Sequence, residues 1–94
     1  MSYEKTCNFV IIGTKPVMNY VIACLTLFNE GAIRICIRAR GRHISKAVDA
    51  IEMLRKIFLL DAQVEDISLG TDTIKNLDGW EINVSTIEII ISPK

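Results

Sequence analysis

The sequence predicts an α+β fold: a two-layer sandwich of two helices on a four-stranded sheet, in the order β-α-β-α-β-β, with an extended β-hairpin arm between strands 3 and 4. Three observations predict it. Short β-branched runs at residues 8–12, 32–39, 64–69 and 82–92 read as strands. Two intervening stretches, 17–30 and 44–58, carry apolar residues at helical spacing. Asp78-Gly79 between the last two runs is a hairpin-turn signal.

Asn8, Phe9, Val10, Ile11 and Ile12, bounded by Gly13, read as a buried strand. Pro16 suits the first helical position, where no backbone N–H is needed. Val17, Tyr20, Val21, Cys24, Leu25 and Phe28 then form one helix face. Met18, Ile22 and Ala23 widen that stripe, which predicts burial on two sides, the second against another subunit. Gly31 is placed to close the helix in the left-handed conformation.

From residue 32, Ile33, Ile35 and Ile37 alternate with Arg34 and Arg38, a strand with one polar face. Arg40-Gly41-Arg42-His43 is a basic turn. Ser45 is expected to cap the next helix, with Asp49 in its first turn. Ile44, Ala47, Val48, Ile51, Leu54 and Phe58 are its apolar stripe. The third strand is expected to end at Gly70. In the fourth, Ser85, Ile87, Ile89 and Ile91 share one face, and Val84, Thr86, Glu88 and Ile90 the other. This hairpin is too long for so small a sheet to cover. A projecting two-stranded arm is marginal alone in water, so it is expected to reach a ligand, and a β-ribbon can enter a nucleic-acid groove.

The 94 residues fit a single domain, 1–94. Half are hydrophobic, enough for a packed core with apolar surface left for a partner subunit. No apolar run reaches the ~18 residues of a membrane span, and Met1 to Lys5 has no signal-peptide pattern, so an intracellular protein is expected. Cys7, Cys24 and Cys36 form no C-x-x-C pair, and their odd number argues against a disulfide framework, so they read as small core residues. His43, the only histidine, has no partner at ligand spacing, and neither a metal nor a cofactor is expected. Gly13-Thr14-Lys15-Pro16 lacks P-loop spacing, Ser45 has no evident base and the carboxylates are dispersed, so the chain does not read as an enzyme.

The formal net charge is zero, but its distribution is polarised. Residues 1–47 hold seven basic and two acidic residues, and residues 48–94 hold four basic and nine acidic. A polyanion responds to local potential, not to the sum. Arg38, Arg40 and Arg42 alternate around Ala39 and Gly41, so in extended geometry their guanidiniums share a face. Arginine holds phosphate bidentately, Gly41 lets backbone approach, and the following helix start adds partial positive charge. Lys15 and Lys46 precede or open helices, a poor place for a cation unless it serves a ligand anion. Lys75 could reach a phosphate from the arm, and Trp80 could stack on a base or pack on a subunit.

Three stretches carry a resemblance to a known family: Ile12-Gly13-Thr14-Lys15-Pro16-Val17-Met18-Asn19-Tyr20-Val21, Ile37 through Asp49 with its R-x-R-G-R core, and Val84-Ser85-Thr86-Ile87-Glu88-Ile89. They resemble the Alba family of small archaeal chromatin proteins, which has relatives among eukaryotic RNA-binding subunits. The resemblance implies a DNA-condensing dimer with a shared basic surface and hairpin arms that follow the duplex. It places Lys15, Arg40 and Arg42 on backbone-contacting positions, Arg38 where lysine is frequent, and Phe58 on a dimer–dimer contact. Thr14 stands where the family often has a lysine associated with regulatory acetylation. The arm is more acidic than is typical, since Lys75 is accompanied by Asp72, Asp78 and Glu81. The expected nucleic-acid-binding residues are therefore Thr14, Lys15, Arg38, Arg40, Arg42, Lys46 and Lys75.

The expected function is a non-sequence-specific, cytoplasmic, chromosome-associated protein. It binds double-stranded DNA, and RNA as well, through backbone charge. The alternative is a weakly binding interaction subunit that heterodimerises with a more basic relative or sits in a ribonucleoprotein. A small-ligand α/β module is a remote third reading, with no pocket evident in the sequence.

Overall fold

β1 (Asn8–Ile11), α1 (Val17–Asn29), β2 (Ile35–Arg40), α2 (Ile44–Met53), β3 (Gln63–Lys75) and β4 (Glu81–Ser92) follow one another in residues 7–93, the part of the chain that the computed structural model describes. The element order is the predicted one. Met1 to Lys5, tested for a signal, and the charges of Glu4, Lys5 and Lys94 lie outside the described residues. The sheet order is β1-β2-β4-β3. β1 and β2 are parallel, joined by the α1 crossover, and β4 runs antiparallel to both of its neighbours.

One face of the sheet meets the helices. Ile35, Ile37 and Ala39 of β2 stand beside Ile91, Ile89 and Ile87 of β4. With Val10 of β1 they close on Val21 and Cys24 of α1, on Ala47 and Ile51 of α2, and on Leu54. Ile35, Val21, Ala47 and Ile91 are wholly buried. Each large aliphatic side chain enclosed this way contributes about 1.5–3 kcal/mol. A smaller cluster of Cys7, Cys36 and Ile90 lies on the opposite face, so the expected polar face of β2 is interrupted by a buried cysteine. All three cysteines are buried, as expected of core thiols.

Several local expectations are corrected. Pro16 is the residue before α1 rather than its first helical residue; its ψ of 153° is still extended. Gly31 does adopt a positive φ of 103°, the left-handed conformation expected after the helix. β2 begins at Ile35, leaving Ile33 exposed. Ser45 does not cap α2, because a 3-10 turn at Gly41–His43 leads straight into it and moves the helix start back to Ile44. Asp49 consequently lies beyond the first turn. After Met53 the helix widens into a π-helical turn, Leu54–Phe58, in which Leu59 N–H donates to the Leu54 carbonyl at 2.7 Å. Val48 and Phe58 of the predicted stripe remain exposed.

β3 does not stop at Gly70 but runs to Lys75, and its pairing with β4 extends from Gln63 opposite Ser92 to Lys75 opposite Glu81. Residues 65–83 are all exposed. The hairpin therefore projects from the body as the expected arm. Its tip is organised by Asn76, whose Oδ1 accepts from the N–H groups of Asp78 and Trp80, both at 3.0 Å. Gly79 takes the positive φ of 85° that the turn requires. Among the described residues no helix is long and apolar enough to cross a membrane.

Candidate nucleic-acid interface

The loop between β1 and α1 is held from both sides. The Tyr20 hydroxyl, one turn into α1, accepts from the N–H groups of Gly13 at 2.8 Å and Lys15 at 3.2 Å. The Lys46 ammonium, in the first turn of α2, donates to the carbonyls of Gly13 at 2.8 Å and Lys15 at 2.7 Å. It also lies 6.0 Å from the Tyr20 ring centroid. Lys46 thus spends its charge on loop carbonyls and fixes the segment that presents Lys15. Lys15 is exposed, with Thr14 exposed beside it. The role of Tyr20 was hidden in the sequence, where it counted only as part of an apolar stripe.

The arginines divide into two kinds. Arg38 and Arg40, two apart on β2, lie on the face away from the helices and are paired to carboxylates. Arg38 Nε donates to Glu88 Oε2 at 2.6 Å, from the residue directly opposite on β4. Its guanidinium also lies 4.2 Å from the Phe9 ring centroid. The hydrogen bond to Glu88 raises the Arg38 pKa above its ordinary value, so its charge is permanent. Arg40 Nη1 reaches across β4 to Asp72 Oδ2 on β3 at 3.3 Å. Asp72 therefore pairs with Arg40, not with Lys75 as its position in the arm suggests. Arg42 is different. β2 ends at Arg40, Gly41 turns the chain with a φ of 53°, and the strand alternation expected to align Arg42 stops there. Among the described residues no carboxylate pairs with Arg42, Lys15 or Lys75.

β1 ends before β2 does, which leaves a notch at the end of the sheet. The cavity there, of about 560 Å³, is walled by Arg38, Arg40, His43, Asp72 and Glu88 over an apolar floor that includes Ile12 and Ile87. Gly13 of the first loop borders it, so the loop carrying Lys15 and the turn carrying Arg42 flank one depression. No side chain caps the start of α1 or of α2, and at α2 the Ile44 N–H donates to the Gly41 carbonyl within the 3-10 turn. The cavity has no signature in the sequence, because it exists only through the unequal lengths of two neighbouring strands.

Other expected positions lie apart from this notch. Lys75 is at the far end of β3, opposite Glu81. Trp80 and Leu77 at the arm's tip are exposed, as is Phe58 with its neighbours Ile57 and Leu60. Among the described residues no group of His, Cys, Asp and Glu is placed to hold a metal ion.

Comparison with known proteins gives a consistent picture. The family model described as Alba matches residues 8–71. The chain is 54% identical over 87 residues to the DNA/RNA-binding protein Alba 1 of Archaeoglobus fulgidus, covering 93% of this chain and 97% of that one. It is 49% identical over 84 residues to the DNA/RNA-binding protein Alba of Methanocella arvoryzae, covering 89% of this chain and 88% of that one. Among solved structures, Alba from Thermoplasma volcanium superimposes with a TM-score of 0.86 at 49% identity, over 90% of this chain and 99% of that one.

Proposed function

The chain belongs to the Alba family, and from that membership we propose that it is an architectural protein that binds the backbone of DNA and RNA without reading sequence. The observation that carries the reading is the exposure of two cations, Lys15 and Arg42, on loops that flank one notch. Phosphate needs cations at the surface, and both side chains are exposed there. Lys46 acts through the loop it ties down, Thr14 lies in that loop, Arg38 and Arg40 line the notch, and Lys75 adds a distant contact from the arm. On this reading the chain is a binding protein, not an enzyme, and it resides on the chromosome in the cytoplasm.

The working unit in this proposal is residues 1–94 as one domain, assembled as a dimer. Support comes from exposed apolar side chains: Val48 on α2, and Ile67 and Leu69 on β3. Ile67 and Leu69 stand opposite Ile89 and Ile87, on the helix-bearing side of the sheet but beyond the helices' cover. Phe58, with Ile57 and Leu60, is then available for contact between dimers on DNA.

The test is fluorescence anisotropy with duplex DNA and with RNA at two salt concentrations, comparing the wild type with Arg40→Ala plus Arg42→Ala. The double variant is expected to lose affinity on every sequence, with its salt slope reduced by about two. Binding that ignores salt overturns the reading. The arginine–carboxylate pairs favour one second reading, a weakly binding subunit that gains strength by heterodimerising with a more basic relative. Addition of such a relative then raises duplex affinity sharply over that of the homodimer.

A further inference from the structure

Two of the guanidiniums that the nucleic-acid reading needs are already occupied. Arg38 holds Glu88 and Arg40 holds Asp72, and all four groups wall the same notch. We infer that Asp72 and Glu88 are specificity-determining residues of this interface. They fill the anion positions on Arg40 and Arg38 until the phosphates of a nucleic-acid strand displace them. This assignment rests on the backbone-binding reading above.

Each carboxylate takes one guanidinium N–H, offsets the arginine's charge and repels an incoming phosphate, so the two anions compete for the same cation. The two positions open unequally. In the Arg40–Asp72 pair both side chains are more than half exposed, at 58% and 53%, and a solvent-screened pair yields readily. The Arg38–Glu88 pair is shorter, its residues are directly opposed on adjacent strands, and Phe9 packs on the guanidinium. A single phosphate therefore gains Arg40 alone. A continuous backbone that already engages Lys15 and Arg42 places further phosphates against Arg38 as well. The internal carboxylates thus penalise isolated phosphates and mononucleotides more than a strand.

Anisotropy with labelled duplex DNA tests this on the full chain. Asp72→Asn is expected to tighten binding roughly two- to fivefold. Asp78→Asn removes the same charge from the arm's tip, where no arginine is paired, and is expected to have a smaller effect. The gain from Asp72→Asn is expected to vanish in an Arg40→Ala background. Glu88→Gln, read against Arg38→Ala in the same way, supplies an independent second site. Equal gains from Asp72→Asn and Asp78→Asn, or a gain that survives without Arg40, overturn the inference. A wild-type chain that binds neither DNA nor RNA overturns the function itself.

Discussion

The ammonium of Lys46 donates to the carbonyl of Lys15 at 2.7 Å, so a cation of one helix holds the loop that displays another. A second bond to the Gly13 carbonyl completes the attachment. Replacing Lys46 by Met keeps the aliphatic stem but leaves both carbonyls without this donor. The expected cost is about 1–3 kcal/mol, measurable by urea denaturation. Nucleic-acid affinity falls as well, because Lys15 loses its fixed position. An affinity loss without a stability loss would instead make Lys46 a direct phosphate ligand.

Acid sensitivity is expected at the base of the arm. Arg34 and Ser92 hydrogen-bond the Glu65 carboxylate and hold its pKa below the ordinary 4.5. A lowered folded value means that the unfolded chain binds the proton first. The stabilisation is therefore complete above the ordinary value and is lost as pH falls through the folded value. Glu65→Gln is expected to be less stable than the wild type at about pH 7, with the gap closing as pH falls through the folded value. A stability gap that persists in acid would assign the effect to packing.

The interior thiols are expected to be inert in the native chain. Burial pushes Cys24 up to about 11, and burial followed by the nearby Glu88 pushes Cys36 up to about 12. At about pH 8 almost none of either is thiolate, the reactive form. A thiol reagent is therefore expected to label both only after denaturant is added, at the rate of unfolding. Labelling of Cys36 at the rate of an exposed thiol would show that the outer face of the sheet opens locally.

How far the chain could be read before its structure depended on the range of each interaction. Both helices and the sequence of elements were legible, because Val17 to Phe28 and Ile44 to Leu54 carry a helical period that local sequence displays. Gly70 misled as a strand terminator. It is instead a point of close approach inside a continuous ribbon, where an added Cβ would lie 2.9 Å from Thr86 Oγ1. Ser45 looked like a cap, but the 3-10 turn absorbed the helix start. Lys15 and Arg42 were legible as exposed cations, because their pattern is local. The pairing of Arg38 with Glu88, 50 residues away, needed the strand register, and that of Arg40 with Asp72 needed its reach over a third strand. Tyr20 shows the same limit: its ring obeys the helical period, while its hydroxyl serves a loop that the period does not describe.

Beyond Leu69 the two long strands touch little but each other, and every residue from 70 to 83 is open to solvent. Apart from Gly70, Asn76 and Gly79, substitutions there leave the enclosed interior untouched, so their effect on folding is small. Lineages of this protein can therefore revise Lys75, Asp78 or Glu81 at little structural risk, while Ile35 or Val21 stays constrained by its neighbours. The ribbon is where this scaffold has latitude to evolve new grip.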